Sequence, residues 1–431
     1  MLCSNIGTNG KGHLTFAGRD TTELAEKHGT PLYLMDEDRI RQNCRTYAAA
    51  FKAHFGDNAL PLYAGKAASF KRIYSIVDSE GMGIDVVSPG EIYTACLAGF
   101  PMEKAYFHGN NKTDADIAFA MERGVGYFVA DGADELLAVD RLAGERGIRQ
   151  KLLLRLTPGI DPHTYDAVNT GKVDSKFGTA IETGQALELV ETALGLHNIS
   201  LEGFHCHVGS QVFEEDVFQR ASVIMLGFFA LIKEKYGFVT RQYDIGGGYG
   251  VPYVESDGEV NIAQRIGEVA GFIKKTAGEL GIEVPKMLME PGRSIVADAG
   301  LTLYAAGSVK TIPGYKNYVS VDGGMTDNPR YALYGSRYTV YSAGRMNEEA
   351  NFKCDLVGRC CESGDIVQPN VLLPQPRRGD IIAVCTTGAY NYSMASNYNR
   401  LCRPAVVMLS GLSDYVAVRR ETMEDLARND L

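Results

Sequence analysis

The chain has 431 residues, 45% hydrophobic and 22% charged, which is the mix of an ordinary soluble protein long enough for two domains or a barrel with an addition. Its 43 basic and 53 acidic side chains leave a net charge of −10, which argues against nucleic acid or an anionic membrane as the main partner and leaves room for a local basic pocket around a small anion. No apolar run approaches the ~18 residues of a bilayer span, and the start MLCSNIGTNGKGHLTF lacks the pattern of a secretory leader. The nine scattered cysteines, one vicinal pair being Cys360–Cys361, fit neither a disulfide framework nor a zinc knuckle, so reduced thiols in a cytoplasm are expected.

In chain order, the spacing predicts a helix over Asp36–Phe55 and then an alternation of short apolar runs with amphipathic stretches. Strands are expected at Leu60–Ala64, Gly83–Val87, Ala105–His108, Tyr127–Ala130, Leu152–Leu156, Leu201–His207, Tyr243–Ile245 and Lys286–Met289. The helices between them are expected at Phe70–Ser79, Gly90–Ala98, Thr113–Arg123, Ala133–Arg146, Gly184–Leu194, Glu215–Lys235 and Ile262–Leu280. Eight such strands predict an α/β fold, a TIM-like (β/α)8 barrel, although an open doubly wound sheet shows the same alternation with fewer units. Beyond residue 300 the helical period disappears. Leu301–Val309, Tyr318–Val321, Phe352–Val357, Ile381–Cys385 and Ala405–Leu409 read as strands of a mainly β domain, which Leu14–Phe16 and Leu32–Leu34 are expected to join. The expected division is 35–298 for the barrel, and 1–34 with 299–431 for the β domain.

The chemistry-bearing residues cluster just after strands, where a barrel builds its site. Lys66, in Tyr63-Ala-Gly-Lys66-Ala, stands at the end of the first strand. Such a lysine is either a snorkelling surface charge or a carbonyl-binding amine whose pKa is lowered by its surroundings. Asp244-Ile-Gly246-Gly247-Gly248-Tyr-Gly250 and Glu290-Pro-Gly292-Arg293 follow the seventh and eighth strands, the loops that often bind phosphate in barrels. The triple glycine lacks the spacing of a dinucleotide fingerprint. Glu290 is suited to holding a proton on a pyridine nitrogen; its plain alternative is a surface pair with Arg293. In Phe204-His205-Cys-His207-Val-Gly-Ser210, His205 and His207 share a strand face and could in principle share a metal. No third ligand stands out nearby, so no metal is expected, and a flat imidazole under an aromatic cofactor with Ser210 reaching its phosphate fits better.

With these residues assembled, the chain resembles the bacterial diaminopimelate decarboxylases, in the alanine-racemase-like class of pyridoxal 5'-phosphate enzymes. The resemblance rests on FHGNNK (Phe107–Lys112), PGIDPHT (Pro158–Thr164), DSKFG (Asp174–Gly178), HVGSQ (His207–Gln211), DIGGGYG, EPGRSIVADAG (Glu290–Gly300), VDGGMTDNPRYALYGSRY (Val321–Tyr338), CESGD (Cys361–Asp365) and TTGAYNYSMASNYN (Thr386–Asn399). It implies that Lys66 carries the cofactor, with Asp85 beside it and Arg155 near its oxygen or phosphate network. His207 would stack on the ring, Ser210 with Gly246, Gly247, Gly248, Gly292 and Arg293 would hold the phosphate, and Glu290 would pair with the pyridine nitrogen. Arg293, Arg330 and Tyr334 would bind the distal substrate carboxylate, and Tyr390 would touch both cofactor phosphate and substrate. Cys361 would return a proton to the product and Glu362 would bind the distal ammonium, both delivered from the partner subunit of a homodimer.

The same resemblance extends to ornithine, arginine and carboxynorspermidine decarboxylases. Glu362 and the Arg293/Arg330 pair speak against the diamine-forming ones, because a second carboxylate calls for guanidinium forks. A racemase of related fold would not need the CESGD segment. One departure is Gly65, where many members carry a larger residue before the lysine; a glycine there could loosen the lysine's setting, but the Tyr-Ala-x-Lys-Ala frame is kept and the difference reads as subfamily variation.

Overall fold

The structure, a computed structural model, describes residues 3–160 and 175–431. Parts of the PGIDPHT and DSKFG motifs therefore lie outside the described residues. The chain forms two compact units. One comprises Asn43–Gly250 and Glu259–Ser294; the other comprises Met1–Gln42, Val251–Gly258 and Ile295–Leu431.

The first unit is built on eight parallel strands: Ala59–Ala64, Gly83–Val86, Ala105–Phe107, Tyr127–Ala130, Gln150–Thr157, Ile199–His205, Gln242–Asp244 and Lys286–Met289. Each pairs with the next, and Lys286–Met289 pairs back onto Ala59–Ala64, so the sheet closes into the barrel that the alternation predicts. Apolar side chains alternate into its interior. Leu62, Tyr106, Val129, Leu153 and Leu288 form a buried layer there, with the Tyr106 and Tyr127 rings stacked at 4.5 Å. The helices start where local chemistry permits. Ser88 caps Pro89–Leu97 with Pro89 in the first turn, and Thr113 with Asp116 forms a capping box on Asp114–Glu122.

The second unit is dominated by a nine-stranded sheet. Its long strand Gly300–Ile312 pairs through residues 300–305 with Leu32–Asp36 and Ile381–Cys385, and through 306–312 with Lys316–Val321. The register shift between Ala306 and Val309 lets one strand serve both halves. Leu32–Leu34 joins this sheet as expected. Leu14–Phe16 does not: it forms a separate three-stranded sheet with Ile6–Thr8 and Arg19–Asp20. The turn at Ala17 and Gly18, both at positive φ, folds the chain back on it, so both its edges are occupied locally. Leu14 and Phe16 still enter the core with Leu32, Leu34, Leu301 and Leu303. Ile366–Leu373 and Ser413–Val418 are strands that the apolar pattern alone does not reveal. The first contains Pro369, a poor strand residue, accommodated by register shifts against Phe352–Val357.

Candidate active site

The C-terminal ends of the barrel strands gather the ionisable groups. Lys66 follows the first strand in a single turn, Gly65–Ala67. Its Nζ lies 3.5 Å from Asp85 Oδ2, at the end of the second strand, and its side chain is 40% exposed against 1% for Asp85. The lysine thus faces an open mouth while its counter-ion is buried. Neither Asp85 oxygen has a hydrogen-bond partner. Glu91, in the following helix, accepts from the Val87 N–H at 2.7 Å. Burial, and then the like charge of Asp85, push its carboxyl up to about 7.

Glu290, after the eighth strand, is buried, which removes the reading of it as a surface partner of Arg293. Two imidazoles from other strand ends meet its carboxylate, one at each oxygen. His108 Nε2 is 2.7 Å from Oε1 and His205 Nε2 is 3.3 Å from Oε2. The His205 approach is a hydrogen bond; the His108 approach is close but off the hydrogen-bond direction, which leaves Glu290 Oε1 and His108 Nε2 unsatisfied. Burial pushes the Glu290 carboxyl up, but the two imidazoles prevail and hold it well below the usual carboxylate range. Burial drives His205 down to about 3, so its ring is neutral. Asp244, fully buried and accepting the Gly246 N–H at 2.9 Å, is pushed well up by burial and by the Glu290 charge.

The metal geometry considered for His205 and His207 does not form as the strand pattern suggests. The strand ends at His205, so His207 leaves the alternation, and its Nδ1 accepts the Gly247 N–H at 3.2 Å. The groups that do converge are His108, His205 and Glu290, their ligand atoms all within 4.8 Å of one another. At 2.7 and 3.3 Å the two imidazoles meet the carboxylate directly, one at each oxygen.

The glycine run packs the loops after the sixth, seventh and eighth strands against each other. A Cβ on Gly247 would lie 2.0 Å from the Glu290 carbonyl oxygen, and one on Gly248 would lie 2.1 Å from that of Gly209. Two of the N–H groups are already committed, Gly246 to Asp244 and Gly247 to His207, so close loop packing requires these glycines at least as much as anion approach does. Arg293 is buried beside this run and donates to Ser210 Oγ from Nε at 3.3 Å and from Nη2 at 3.0 Å. Gly292 fits against the Cβ atoms of Ala64 and Ala67, which a side chain on it would meet at 2.9 and 3.1 Å. Arg155, 11% exposed, approaches Asp131 at 3.8 Å and lies over the Phe177 ring. His207 is held neutral, its pKa far below the ordinary value through burial and the nearby Lys66 charge.

In the other unit, Arg330 is buried between Tyr253 and Tyr338, donating to the Tyr338 hydroxyl at 3.0 Å. Its Nε has no hydrogen-bond partner, so the guanidinium fork is only partly used. Tyr334 ends the short helix Arg330–Tyr334, and Tyr390 sits at a φ of 61°. The vicinal cysteines diverge. Burial and Asp365 push the Cys360 thiol up to about 11, whereas Cys361 and Glu362 are exposed on the same loop.

A family model described as "Pyridoxal-dependent decarboxylase, pyridoxal binding domain" matches residues 37–297. The chain is 42% identical over 423 residues to the diaminopimelate decarboxylase of Bacillus subtilis (strain 168), covering 98% of this chain and 96% of that protein. The chain belongs to the diaminopimelate decarboxylase family. It is also 38% identical over 424 residues to the diaminopimelate decarboxylase of Mycobacterium tuberculosis (strain ATCC 25618 / H37Rv), covering 96% of this chain and 94% of that one. The crystal structure of diaminopimelate decarboxylase from M. jannaschii in complex with L-lysine superposes with a TM-score of 0.91 at 32% identity, covering 99% of this chain and 98% of that one.

Family membership implies pyridoxal 5'-phosphate, and the residues present fit it. A lysine stands at an open barrel mouth, a buried carboxylate keeps an unsatisfied oxygen, and a glycine-lined turn lies beside a buried arginine and a serine. Reading the sequence missed His108, His205 as a partner of Glu290, Asp244 and Glu91. His108 was visible inside FHGNNK at a strand end, but nothing local tied it to a carboxylate 182 positions away.

Proposed function

We propose that this chain decarboxylates meso-2,6-diaminopimelate to L-lysine and CO2, the last step of lysine biosynthesis, with pyridoxal 5'-phosphate as its cofactor. The observation that carries the reading is the 42% identity to a diaminopimelate decarboxylase over 98% of the chain. When bound, the cofactor supplies an electron sink for the pair left behind as CO2 departs. Lys66 binds it, and Asp85 orients the lysine amine across their 3.5 Å contact. Glu290 holds the proton on the pyridine nitrogen. His207 offers a neutral aromatic face. Ser210, Gly246, Gly247, Gly248, Gly292 and Arg293 bind the phosphate, with Arg155 and Tyr390 beside them.

Specificity comes from the substrate end that does not react. Arg293, Arg330 and Tyr334 bind the distal carboxylate, Tyr390 contacts the substrate, and Glu362 binds the distal ammonium. A substrate lacking the distal carboxylate loses its contacts to the buried Arg293 and Arg330 and is rejected strongly. Cys361 delivers the proton to the carbon that has lost CO2. Its exposure, beside a Cys360 turned toward Asp365, supports this choice between the two thiols. The working unit is a cytoplasmic homodimer in which Cys361 and Glu362 serve the partner's site. All nine cysteines are free, and no helix of the described residues is long and apolar enough to cross a membrane.

The test is a CO2-release assay with meso-diaminopimelate, L-ornithine and L-arginine offered in parallel to the cofactor-loaded protein. L-lysine and CO2 from diaminopimelate alone is the expected result. A preference for ornithine or arginine would overturn the roles of Glu362, Arg293 and Arg330. Lys66→Ala should abolish turnover, and substantial residual decarboxylation would remove Lys66 from its role.

A further inference from the structure

The Glu290 carboxylate is gripped from behind by groups that the proposed reaction does not use. His108 comes from the end of the third strand, His205 from the sixth, and Asp244 from the seventh. All three are buried, and the two imidazole rings meet edge to face at 4.8 Å, which fixes each against the other. An imidazole nitrogen faces each Glu290 oxygen, at 2.7 and 3.3 Å. A buried carboxylate with no such partners would take up a proton or turn toward another donor. Here its position is constrained: one oxygen is hydrogen-bonded to His205, and the His108 ring lies 2.7 Å from the other, which keeps room for a further donor.

We propose that His108 and His205 are positioning residues that hold the Glu290 carboxylate fixed in one plane for the pyridine nitrogen of the cofactor. This rests on the assignment of Glu290 as the partner of that nitrogen. In this proposal the histidines act through Glu290, the group they contact. Asp244 completes the arrangement by accepting the Gly246 N–H at 2.9 Å, so the turn that carries the glycine run and the carboxylate that faces the ring are built from one set of contacts. Losing a hydrogen bond to a charged group weakens binding roughly tenfold or more.

The experiment uses full-length protein stripped of cofactor and titrated with pyridoxal 5'-phosphate, following both the dissociation constant and the absorbance spectrum of the Lys66-bound cofactor. His205→Ala should weaken cofactor binding roughly tenfold and shift the balance of absorbance bands in the direction that Glu290→Gln shifts it. His205→Gln, which keeps an N–H donor, should recover most of the loss. In a Glu290→Gln background, His205→Ala should add little, because the histidine acts through that carboxylate. The same pattern is expected for His108→Ala, and melting curves of the stripped variants check that each is folded. The proposal is overturned if His205→Ala and His108→Ala leave affinity and spectrum unchanged. It is also overturned if their losses add fully to that of Glu290→Gln, which would mark a packing role. If Glu290→Gln itself changes neither readout, the assignment of Glu290 fails instead.

Discussion

Immediately before Lys66 the chain carries a glycine, and the structure supplies a reason that the motif alone does not. A Cβ on Gly65 would lie 2.7 Å from the Tyr74 hydroxyl and 3.1 Å from the Asp85 carbonyl oxygen. That hydroxyl is itself held by Ser69 Oγ at 2.9 Å. Gly65 is therefore a fitted position and not a loose one: Tyr74 occupies the space that a side chain would take. Gly65→Ala should destabilise the protein by about 1–3 kcal/mol through overpacking, and adding Tyr74→Phe should return part of that loss in urea unfolding. No recovery in the double variant would mean that the Asp85 carbonyl, and not Tyr74, sets the limit. Glu91, in the first turn of the helix after the second strand, permits a pH prediction. Its folded pKa of about 7 lies above its ordinary value of 4.5. As pH rises between these values the unfolded chain gives up this proton first, so this group's contribution falls across pH 4.5–7 and is lost above 7. In cofactor-free protein, Glu91→Gln should gain stability relative to wild type across that window, by a total of roughly 3 kcal/mol. A stability difference that stays flat from pH 4.5 to 7 would contradict the shift.

At the scale of an element, the loop from Gly358 to Asp365 is wound around one carboxylate. Asp365 is buried and accepts the Met325 N–H on one oxygen and the Cys360 N–H on the other, each at 2.7 Å. The Gly358 N–H reaches its carbonyl at 3.0 Å, and the Cys361 N–H is received by Asn399 Oδ1 at 2.8 Å. A Cβ on Gly358 would meet the Asp365 carboxylate at 2.2 Å, and one on Gly324 would meet it at 2.5 Å. The aspartate of CESGD is thus the pin of the loop that presents Cys361 and Glu362. Asp365→Ala leaves two N–H groups without acceptors, a loss of about 1–3 kcal/mol for each that stays buried. It should lower kcat at least tenfold while leaving the cofactor dissociation constant within about twofold, because the affected groups are the loop's and not the barrel's. Weakened cofactor binding in this variant, measured by absorbance titration, would contradict that division.

For the whole molecule, the decisive expectation is that a site needs two chains. Mixing Lys66→Ala protein with Cys361→Ala protein, each inactive alone, should generate mixed dimers with one intact site in two. Full exchange then gives about a quarter of wild-type activity under random pairing of symmetric dimers. No recovery after demonstrated subunit exchange would remove the shared site, as would full activity from a monomer by size-exclusion chromatography. Cofactor and stability are linked in the same way. A ligand present at 100 times its dissociation constant adds about 2.7 kcal/mol, so stripping the cofactor should lower the melting temperature and adding it back should restore it.

The sequence by itself determined the barrel, because alternating apolar and amphipathic runs report directly which face each segment buries, and those periods are local. The eight strands and the helices between them fall within two residues of where that pattern puts them. It also determined the order of the family motifs, and with them the lysine, the glycine run and the vicinal cysteine pair. It could not reach the Leu14–Phe16 pairing, since an apolar triplet does not reveal which edge it meets, nor the strand containing Pro369. Tertiary structure alone decided the surroundings of Glu290. His108, His205, Asp244 and Glu290 lie on four different strand ends, and only barrel closure converts their separation in sequence into contacts of a few ångströms. The same holds for Gly65, whose neighbour Tyr74 is set by the packing of a helix on its strand. Charge and proton placement depend on burial and distance together, and neither is a property of the chain until it has folded.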